Sequence, residues 1–409
     1  MNLRFVRRKN RERGQSIMET AKGLVRLSQK ALQIEPFLAM EIFERAVTLE
    51  RQGRSIIRLE VGEPDFKTPQ VIQEAGIRAI RDGHTRYTHS LGHRELREEI
   101  AAWYWRQYRV EVDPSNIAVT LGSSAAMVLT FAALLNPGEE VVVTDPCYAC
   151  YPKFIQAFDG VPIRDRVFEE DGFQYRPEGV RAAFSDRTRA VLLNSPSNPT
   201  GTVTTRERLL EITEVINGRV PIVSDEIYHG LVYEGRAHSI LEFTRNAIVI
   251  NGFSKLFSMT GWRLGYAIFP VSMIRSIQKL QQNLFISAPD FAQFAGIAAL
   301  RDAGPDVELM VQKYDQRRRF VLDRLNKMGL GVAVEPTGAF YVFINVKSLS
   351  DSVLDLSFRI LDDAGVALTP GVDFGPNGEG FIRICYANSL ENLEEGMNRL
   401  ERFMADFRK

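Results

Sequence analysis

Residues 117–125 read IAVTLGSSA, a short apolar run that ends in a turn of small residues. The same order, an apolar run followed by a polar cluster, recurs four more times before residue 260. The five runs are Ile117–Thr120, Val141–Val143, Ala190–Leu193, Ile222–Val223 and Ile248–Ile250. Runs of this length, rich in Val, Ile and Leu, are typical of strands that are buried on both faces.

Amphipathic segments lie between these runs. Residues 125–135 and 206–216 are predicted helices, and in the second helix Leu209, Ile212 and Ile216 fall on one face. Strands joined by helical crossovers form parallel sheets. The sequence therefore predicts an α/β fold with a mostly parallel central sheet flanked by helices.

The pattern changes after about residue 300. A charged helix (313–327) precedes a predicted strand (339–344), a helix (353–364), a second strand (380–386) and a final helix (390–407). This order predicts a smaller α+β unit, joined in space by the segment before Gly62. A chain of 409 residues also exceeds what a single hydrophobic core normally supports.

The composition is that of an ordinary globular protein whose positive and negative side chains balance. Lys plus Arg equals Asp plus Glu at 51 each, so neither nucleic acid nor an anionic membrane is an expected partner. The longest apolar stretch, 125–135, is far shorter than the roughly 20 residues that span a bilayer. Three cysteines, an odd number, argue against a secreted disulfide scaffold, and we expect a cytoplasmic protein.

The N-terminus is basic. Six Lys and Arg residues face one acid within the first 13 residues, and no apolar signal core follows them. We interpret this segment as a solvated basic tail. An organelle transit peptide is the alternative, and no functional conclusion depends on the choice.

Polar clusters follow each of the five predicted strands. In an open α/β sheet, ligands bind outside the carboxyl ends of the strands, so these clusters are expected to converge on one pocket. The clusters are Gly122–Ala125, Asp145–Tyr148, Asn194–Gly201, Asp225–Tyr228 and Ser254–Lys255.

Two of these residues suggest a particular chemistry. An isolated lysine is usually solvated, but Lys255 follows an apolar strand, where burial would lower its pKa and leave a nucleophilic amine. Asp225 would be a costly buried charge without a partner, and a protonated pyridine nitrogen is a suitable one. The small residues at 122–125, with Arg263, suit a phosphate monoester; a plain turn and a surface salt bridge are the alternatives.

Three motifs of this sequence resemble those of a known enzyme family. SNPTG at 197–201, SDEIY at 224–228 and SKLFSMTGWRLGY at 254–266 resemble class I/II aminotransferases of pyridoxal-phosphate (PLP) fold type I. The resemblance extends from about Glu35 to the C-terminus. It implies a large PLP-binding domain at 63–295, a small domain at 296–409 and a segment at 35–62 that packs with the small domain, with 1–34 as the basic extension.

The resemblance implies a role for each matched residue around the cofactor. Lys255 would carry PLP as a Schiff base and move the proton at the substrate α-carbon, and Asp225 would hold the pyridine nitrogen. Tyr228 and Asn198 would bind the ring oxygen, and Tyr148 would stack on the ring. The implied phosphate ligands are Ser123, Ser124, Ala125, Ser254 and Arg263.

Further matches concern the substrate and the quaternary structure. Arg383, in FIRICYAN, matches an arginine that grips the substrate α-carboxylate, and Gly62, in EVGEPDF, matches a glycine that borders the substrate. Tyr87, in RYTHSLG, matches a tyrosine that reaches the phosphate of the neighbouring subunit, which implies a homodimer with shared active sites. The Asn198-Pro199 bond is expected to be cis.

The substrate stays open at this point. Some aspartate-preferring relatives have a lysine where this chain has Ser124, so aspartate is in doubt and aromatic, aliphatic or other acidic donors are equally admissible. The implied reaction moves the α-amino group of an L-amino acid to a 2-oxo acid, 2-oxoglutarate or pyruvate. Phe340 and Tyr341 suit a side-chain pocket and a strand core equally well.

Several alternatives use the same residues. PLP β-lyases and ring-forming synthases share this set of groups, and a ligand-sensing regulator is a remote option because only about 34 residues precede the resemblance, too few for a winged helix. Cys147 and Cys150 form a C-x-x-C without a second pair, so we predict no metal site. His84, His89 and His93 are interpreted as ordinary loop residues.

Overall fold

The computed structural model describes residues 26–407, so the basic cluster within residues 1–13 lies outside the described residues. Residues up to Glu35 form one unit and residues from Pro36 onward a second. The described part of the first unit contains a short helix, α1 (Gln29–Gln33), whose N-terminus is capped by the Ser28 side chain. All other elements belong to the second unit.

A seven-stranded sheet forms the centre of the second unit, in the order β2-β8-β7-β6-β5-β3-β4. The pairs within β4, β3, β5, β6 and β7 are parallel, whereas β8 is antiparallel to both of its neighbours. The bounds are β2 (Ile117–Thr120), β3 (Glu140–Asp145), β4 (Val161–Arg166), β5 (Thr188–Asn194), β6 (Ile222–Asp225), β7 (Ala247–Gly252) and β8 (Gly265–Ile268).

Helices cover both faces of this sheet, as alternate residues of one strand show. On β3, Val142 belongs to one hydrophobic cluster, while Val141 and Val143 belong to another. The mostly parallel sheet with two covered faces is therefore confirmed. The helices of the second unit up to residue 302 are α2 (Leu38–Arg51), α3 (Gln70–Arg81), α4 (Arg94–Tyr108), α5 (Gly122–Leu134), α6 (Tyr151–Ala157), α7 (Pro177–Ala183), α8 (Arg206–Ile216), α9 (Val271–Leu284) and α10 (Asp290–Asp302).

The C-terminal part has its own small sheets, as the change of pattern after residue 300 predicts. An antiparallel sheet has the order β11 (Thr369–Pro370), β12 (Phe381–Cys385) and β9 (Tyr341–Asn345). A parallel pair joins β1 (Ile57–Arg58) to β10 (Val366–Ala367), so the chain before Gly62 hydrogen-bonds to this part. The helices are α11 (Gly304–Lys327), α12 (Val353–Arg359), which continues as a π-helical turn at Ile360–Ala364, and α13 (Leu390–Phe407). The domain boundaries at residues 62 and 295 stay predictions.

Two strands of the central sheet have no counterpart in the predicted pattern. β4 reads VPIRDR and lies at the sheet edge, where its residues are partly or fully exposed, so it lacks the apolar run that marks a buried strand. β8 is buried and four residues long, the same length as β2 and β6, so its length does not explain why it was not predicted. Among residues 26–407, none of the helices combines the length and the apolar character needed to cross a membrane.

Candidate active site

A cavity of about 230 Å³ lies at the carboxyl ends of β5 and β6. It brings together most of the residues that the sequence singled out, from strand ends and from the C-terminal part of the chain. The predicted residues that line it are Gly62, Ser123, Ser124, Tyr148, Asn198, Asp225, Tyr228, Lys255 and Arg383. The convergence expected for an open α/β sheet is present.

Lys255 lies just beyond β7 and is partly buried. Its Nζ donates a 2.6 Å hydrogen bond to the carbonyl oxygen of Gly62. Loss of hydration on burial lowers the pKa of the amine to about 8. Cys385 and Glu63 oppose this fall, whereas the charges of Arg383 and Arg263 add to it. A larger fraction of this lysine than of an exposed lysine is therefore a neutral nucleophile near neutral pH.

Asp225 ends β6 and is 5% exposed. Its Oδ2 accepts a 2.7 Å hydrogen bond from the hydroxyl of Tyr151, and its Oδ1 accepts a 3.1 Å bond from the backbone N–H of Ile227. Burial raises the pKa of the carboxyl to about 6, while these two bonds and the charge of Lys255 limit the rise. Asp225 is thus a buried acid whose ionised form a cationic partner would stabilise.

The N-terminus of α5 forms the opposite end of the site. Ser123 and Ser124 lie in its first turn, and Gly122 has a φ of +78°, a conformation that favours glycine. The guanidinium of Arg263 is so close that a Cβ on Gly122 would lie 2.7 Å from Nη2. Backbone N–H groups, a helix dipole and a guanidinium thus meet at one place, which suits a dianionic phosphate.

Three of the implied phosphate ligands do not line the cavity. Ala125 and Ser254 are buried and Arg263 is exposed, and none of the three lines the cavity itself. Two of them adjoin residues that do, since Ala125 follows Ser124 and Ser254 precedes Lys255. Arg263 is placed by the left-handed conformation of its own backbone, with a φ of +54°.

Arg383 lies on β12 and is 2% exposed. Its Nη1 donates to Oδ1 of Asn198 at 2.9 Å, and its Nη2 donates to the carbonyl oxygen of Glu60 and to Oγ1 of Thr369. The Nε has no hydrogen-bond partner among the described residues although it is buried. A buried guanidinium without a carboxylate pair is prepared for an anionic ligand.

Two tyrosines and an asparagine complete this side. The hydroxyl oxygens of Tyr228 and Tyr341 are 2.7 Å apart, and the Asn198-Pro199 bond is cis as expected. Tyr341 lines the cavity, whereas Phe340 is fully buried outside it. The sequence left a pocket role and a core role open for both residues. The structure places Tyr341 in the pocket wall and Phe340 in the core.

Tyr148 and Tyr87 lie in different surroundings. Tyr148 lines the cavity and packs edge-on against Phe37 and Tyr151. Tyr87 is 80% exposed and is not brought into this cavity. Its predicted role at a neighbouring subunit stays a prediction.

The structure adds residues that the sequence did not single out. Asn194 holds the backbone N–H of Asn198 through a 2.8 Å bond to its Oδ1, and it belongs to the cluster after β5, which is a usable signal. Tyr151 carries a weaker signal, its position three residues after Tyr148. Phe37 and Met40 also line the cavity, and they come from the start of α2, which no local motif connects to the strand ends. Glu60 lines it too and is the first residue of the EVGEPDF motif quoted for Gly62.

The cysteines and histidines have surroundings of their own. Burial raises the pKa of the Cys147 thiol to about 12, far from a reactive thiolate. His93 is more than a loop residue, because it precedes α4 and its Nε2 lies 2.6 Å from Oδ1 of Asp290. Within residues 26–407, no group of three or more His, Cys, Asp or Glu side chains is arranged to hold a metal ion.

The donor set fits PLP. A partly neutral amine, a buried carboxyl with an unmet charge and a helix N-terminus beside an arginine match its aldehyde, its pyridine nitrogen and its phosphate. The fold and the site thus define a fold type I PLP enzyme.

Comparison with known proteins gives the family. Residues 54–400 match the family described as aminotransferase class I and II. The chain is 43% identical over 92% of its length to a (5-formylfuran-3-yl)methyl phosphate transaminase of Methanocaldococcus jannaschii, covering 99% of that protein. It is 37% identical over 93% of its length to an aspartate aminotransferase of Geobacillus stearothermophilus, again covering 99% of the relative.

Comparison with solved structures gives the same family. A Methanococcus jannaschii protein, described as similar in its active site to kynurenine aminotransferases, superposes with a TM-score of 0.86 at 41% identity, with coverage of 93% of this chain and 100% of the other. Aspartate aminotransferase of Thermus thermophilus with maleate gives a TM-score of 0.89 at 36% identity and the same coverage. The chain belongs to the class I and II aminotransferases and is a PLP-dependent transaminase.

Proposed function

We propose that this transaminase moves the α-amino group of an L-amino acid to 2-oxoglutarate or pyruvate by a ping-pong mechanism, with Lys255 as the group that attaches the cofactor. The observation that carries the proposal is that Lys255, Asp225 and Arg383 line one cavity. An amine with a pKa of about 8, a buried carboxyl and a buried guanidinium are the three charged groups that the reaction requires.

Hydrogen bonds of Asp225 and Asn198 to other side chains support the proposed cofactor contacts. When bound, PLP supplies an electron sink for the bonds at the substrate α-carbon. Asp225 holds the pyridine nitrogen and is kept in place by Tyr151. Because Oδ1 of Asn198 accepts from Arg383, its amide N–H group is left to donate to the ring oxygen together with Tyr228.

The remaining proposed cofactor contacts are made by the N-terminus of α5 and by the ring of Tyr148. Ser123, Ser124, Ala125 and Ser254 supply hydroxyl and backbone N–H groups to the phosphate, and Arg263 supplies the charge. Tyr148 provides the flat face against the ring. The support for this assignment is the position of Ser123, Ser124 and Tyr148 in the cavity wall and of Arg263 beside Gly122.

On the substrate side, Arg383 binds the α-carboxylate. Its unpartnered Nε and its fixed Nη groups favour a bidentate contact. Lys255 then moves a proton at the α-carbon, a task that suits an amine whose pKa is about 8. Gly62 borders the substrate, since its carbonyl accepts from Lys255 and a side chain there would collide with Tyr341.

The quaternary structure and location are also part of the proposal. A homodimer with shared active sites is supported by Tyr87, a large aromatic side chain that is 80% exposed and has a polar tip for a phosphate of the partner subunit. A cytoplasmic location is supported by the odd number of cysteines.

A half-reaction tests the proposed chemistry. Holoenzyme mixed with an amino acid alone should convert to the amine form of the cofactor, seen as a loss of the long-wavelength absorbance, and a 2-oxo acid should restore it. Release of pyruvate and ammonia from an amino acid without any acceptor would instead indicate β-elimination and reject transamination as the main reaction.

A further inference from the structure

Tyr341 lines the cavity, yet none of the proposed cofactor contacts uses it. It lies on β9, and Arg383 lies on the neighbouring antiparallel strand β12. The register pairs Tyr341 with Cys385 and Phe343 with Arg383, so Tyr341 and Arg383 are diagonal neighbours on one face of the sheet. The guanidinium carbon of Arg383 lies 4.6 Å from the centroid of the Tyr341 ring.

The hydroxyl of Tyr341 is held against that of Tyr228. The two oxygens are 2.7 Å apart, and both side chains are buried. Packing fixes the Tyr341 hydroxyl from another side, because a Cβ on Gly62 would lie 1.9 Å from it. A phenol has one hydrogen to donate, so one hydrogen lies between the two oxygens. The hydroxyl that accepts keeps its own hydrogen for a further acceptor.

The charge of Arg383 favours Tyr341 as the donor of this pair. A cation over the face of a phenol ring stabilises negative charge on the phenol oxygen, which makes the hydroxyl a stronger donor. Burial raises the pKa of Tyr341, and the charge of Arg383 opposes that rise. Burial also raises the pKa of Tyr228, and the Tyr341 hydroxyl raises it further. Tyr228, the weaker acid of the two, is therefore the acceptor.

We propose that Tyr341 is a positioning residue for the cofactor and acts through Tyr228. Its hydroxyl donates to the Tyr228 oxygen, which leaves the Tyr228 hydrogen to point at the ring oxygen of PLP. The hydrogen bond that Tyr228 accepts also strengthens the one that it donates. This inference rests on the proposed function, in which Tyr228 binds the ring oxygen and Lys255 attaches the cofactor.

The proposal predicts an effect on the proton of the linkage between Lys255 and PLP. A negative ring oxygen stabilises a proton on the linkage nitrogen, and a donor to that oxygen reduces its charge. Tyr228 thus lowers the pKa of the linkage, and Tyr341 lowers it further by strengthening the donation from Tyr228. Loss of the Tyr341 hydroxyl should therefore raise this pKa.

A pH titration of the holoenzyme absorbance measures the pKa of the linkage independently of turnover. Tyr341→Phe keeps the ring under Arg383 and should move the midpoint upward by about 0.3 pH unit or more. Tyr228→Phe should move it upward by about 1 to 2 units. Tyr175→Phe is the matched control and should leave the midpoint in place, because this buried hydroxyl donates to the carbonyl oxygen of Leu192 at 2.9 Å and does not line the cavity.

The double variant shows whether Tyr341 acts through Tyr228. When the Tyr228 hydroxyl is already absent, adding Tyr341→Phe should cause no further shift. An equal shift in both backgrounds would show a direct effect on the cofactor and overturn the proposal. An unchanged or lower midpoint in Tyr341→Phe alone would overturn it as well. The proposed function fails, and this inference with it, if Lys255→Ala holoenzyme keeps the titrating absorbance of the wild type.

Discussion

The hydroxyl of Tyr151 donates a 2.7 Å hydrogen bond to Oδ2 of Asp225, and both side chains are almost fully buried. Asp225 comes from a strand end and Tyr151 from the first turn of α6, 74 positions earlier in the chain. The bond is one of the interactions that keep the pKa of this carboxyl near 6 against the cost of burial.

Tyr151→Phe should therefore raise the pKa of Asp225 above about 6. The carboxyl is ionised only above its pKa, so the pH above which apo-protein binds PLP tightly should move upward. We expect a loss of affinity of about 10-fold near pH 6.5 that shrinks by pH 8.5. Fluorescence titration of apo-protein with PLP measures this. Tyr148→Phe, which removes a hydroxyl from the same cavity, should leave the pH midpoint in place.

The pKa of Lys255 predicts when the cofactor attaches. Neutral amine is the reactive form, so the rate of covalent attachment of PLP to apo-protein should rise with pH to a midpoint of about 8, below the value for an exposed lysine. Borohydride trapping followed by peptide mass spectrometry locates and counts the adduct. Lys255→Ala and Lys255→Arg should both lose adduct and turnover; trapping at another lysine in wild-type protein would contradict the assignment.

Arg383→Lys keeps the charge but removes the planar fork. Because the guanidinium is fixed by Asn198 and Thr369, a shorter-reaching ammonium cannot reproduce a two-point contact with the α-carboxylate. We expect KM for the amino acid to rise about 100-fold, more than kcat falls. Arg324→Lys, on α11 and paired with Glu401, is the control. Unchanged saturation with amino acid would argue against the role of Arg383.

Gly62→Ala tests how tightly the substrate border is packed. A Cβ there would lie 1.9 Å from the hydroxyl of Tyr341, so the ring must move and its contact with Tyr228 must break. We expect kcat/KM to fall by about 100-fold while the protein stays folded, as circular dichroism would show. Adding Tyr341→Phe should recover part of the loss. Gly304→Ala, where a Cβ meets nothing within 4 Å, should have little effect.

Glu226 predicts a pH dependence of stability. This buried carboxyl accepts from Ser239, Ile240, Ser224 and Tyr104, yet burial raises its pKa to about 7. The folded state therefore retains the proton that the unfolded chain releases near pH 4.5. Its stabilising contribution is complete below that pH and is lost as pH rises through about 7.

Glu226→Gln should remove this pH dependence. The free energy of unfolding of the wild type, relative to the variant, should fall by about 3 kcal/mol between pH 4.5 and pH 8. Urea unfolding at several pH values measures the difference. Parallel curves for the two proteins would show that Glu226 does not titrate in this range.

Much of the architecture could be predicted from the sequence. Apolar runs such as Val141–Val143 and the amphipathic helix at 206–216 are local patterns, and their order fixes a parallel sheet with covered faces. Strand β4 was not predicted because its position at the sheet edge removes the need for an apolar run. The same logic placed Lys255 and Asp225 in one pocket, since parallel strands end at one edge.

The sequence by itself determined the central sheet and the edge at which the cavity lies, because both depend on short-range pattern and on residues next to strand ends; the roles of the cofactor-binding residues stay predictions. Only the tertiary structure decided the partners. It places Tyr151 on Asp225, Asn198 on Arg383 across 185 positions, and the segment before Gly62 in the cavity wall. Contacts between distant segments depend on how helices and sheets dock, and side-chain packing sets that geometry without leaving a local pattern in the chain.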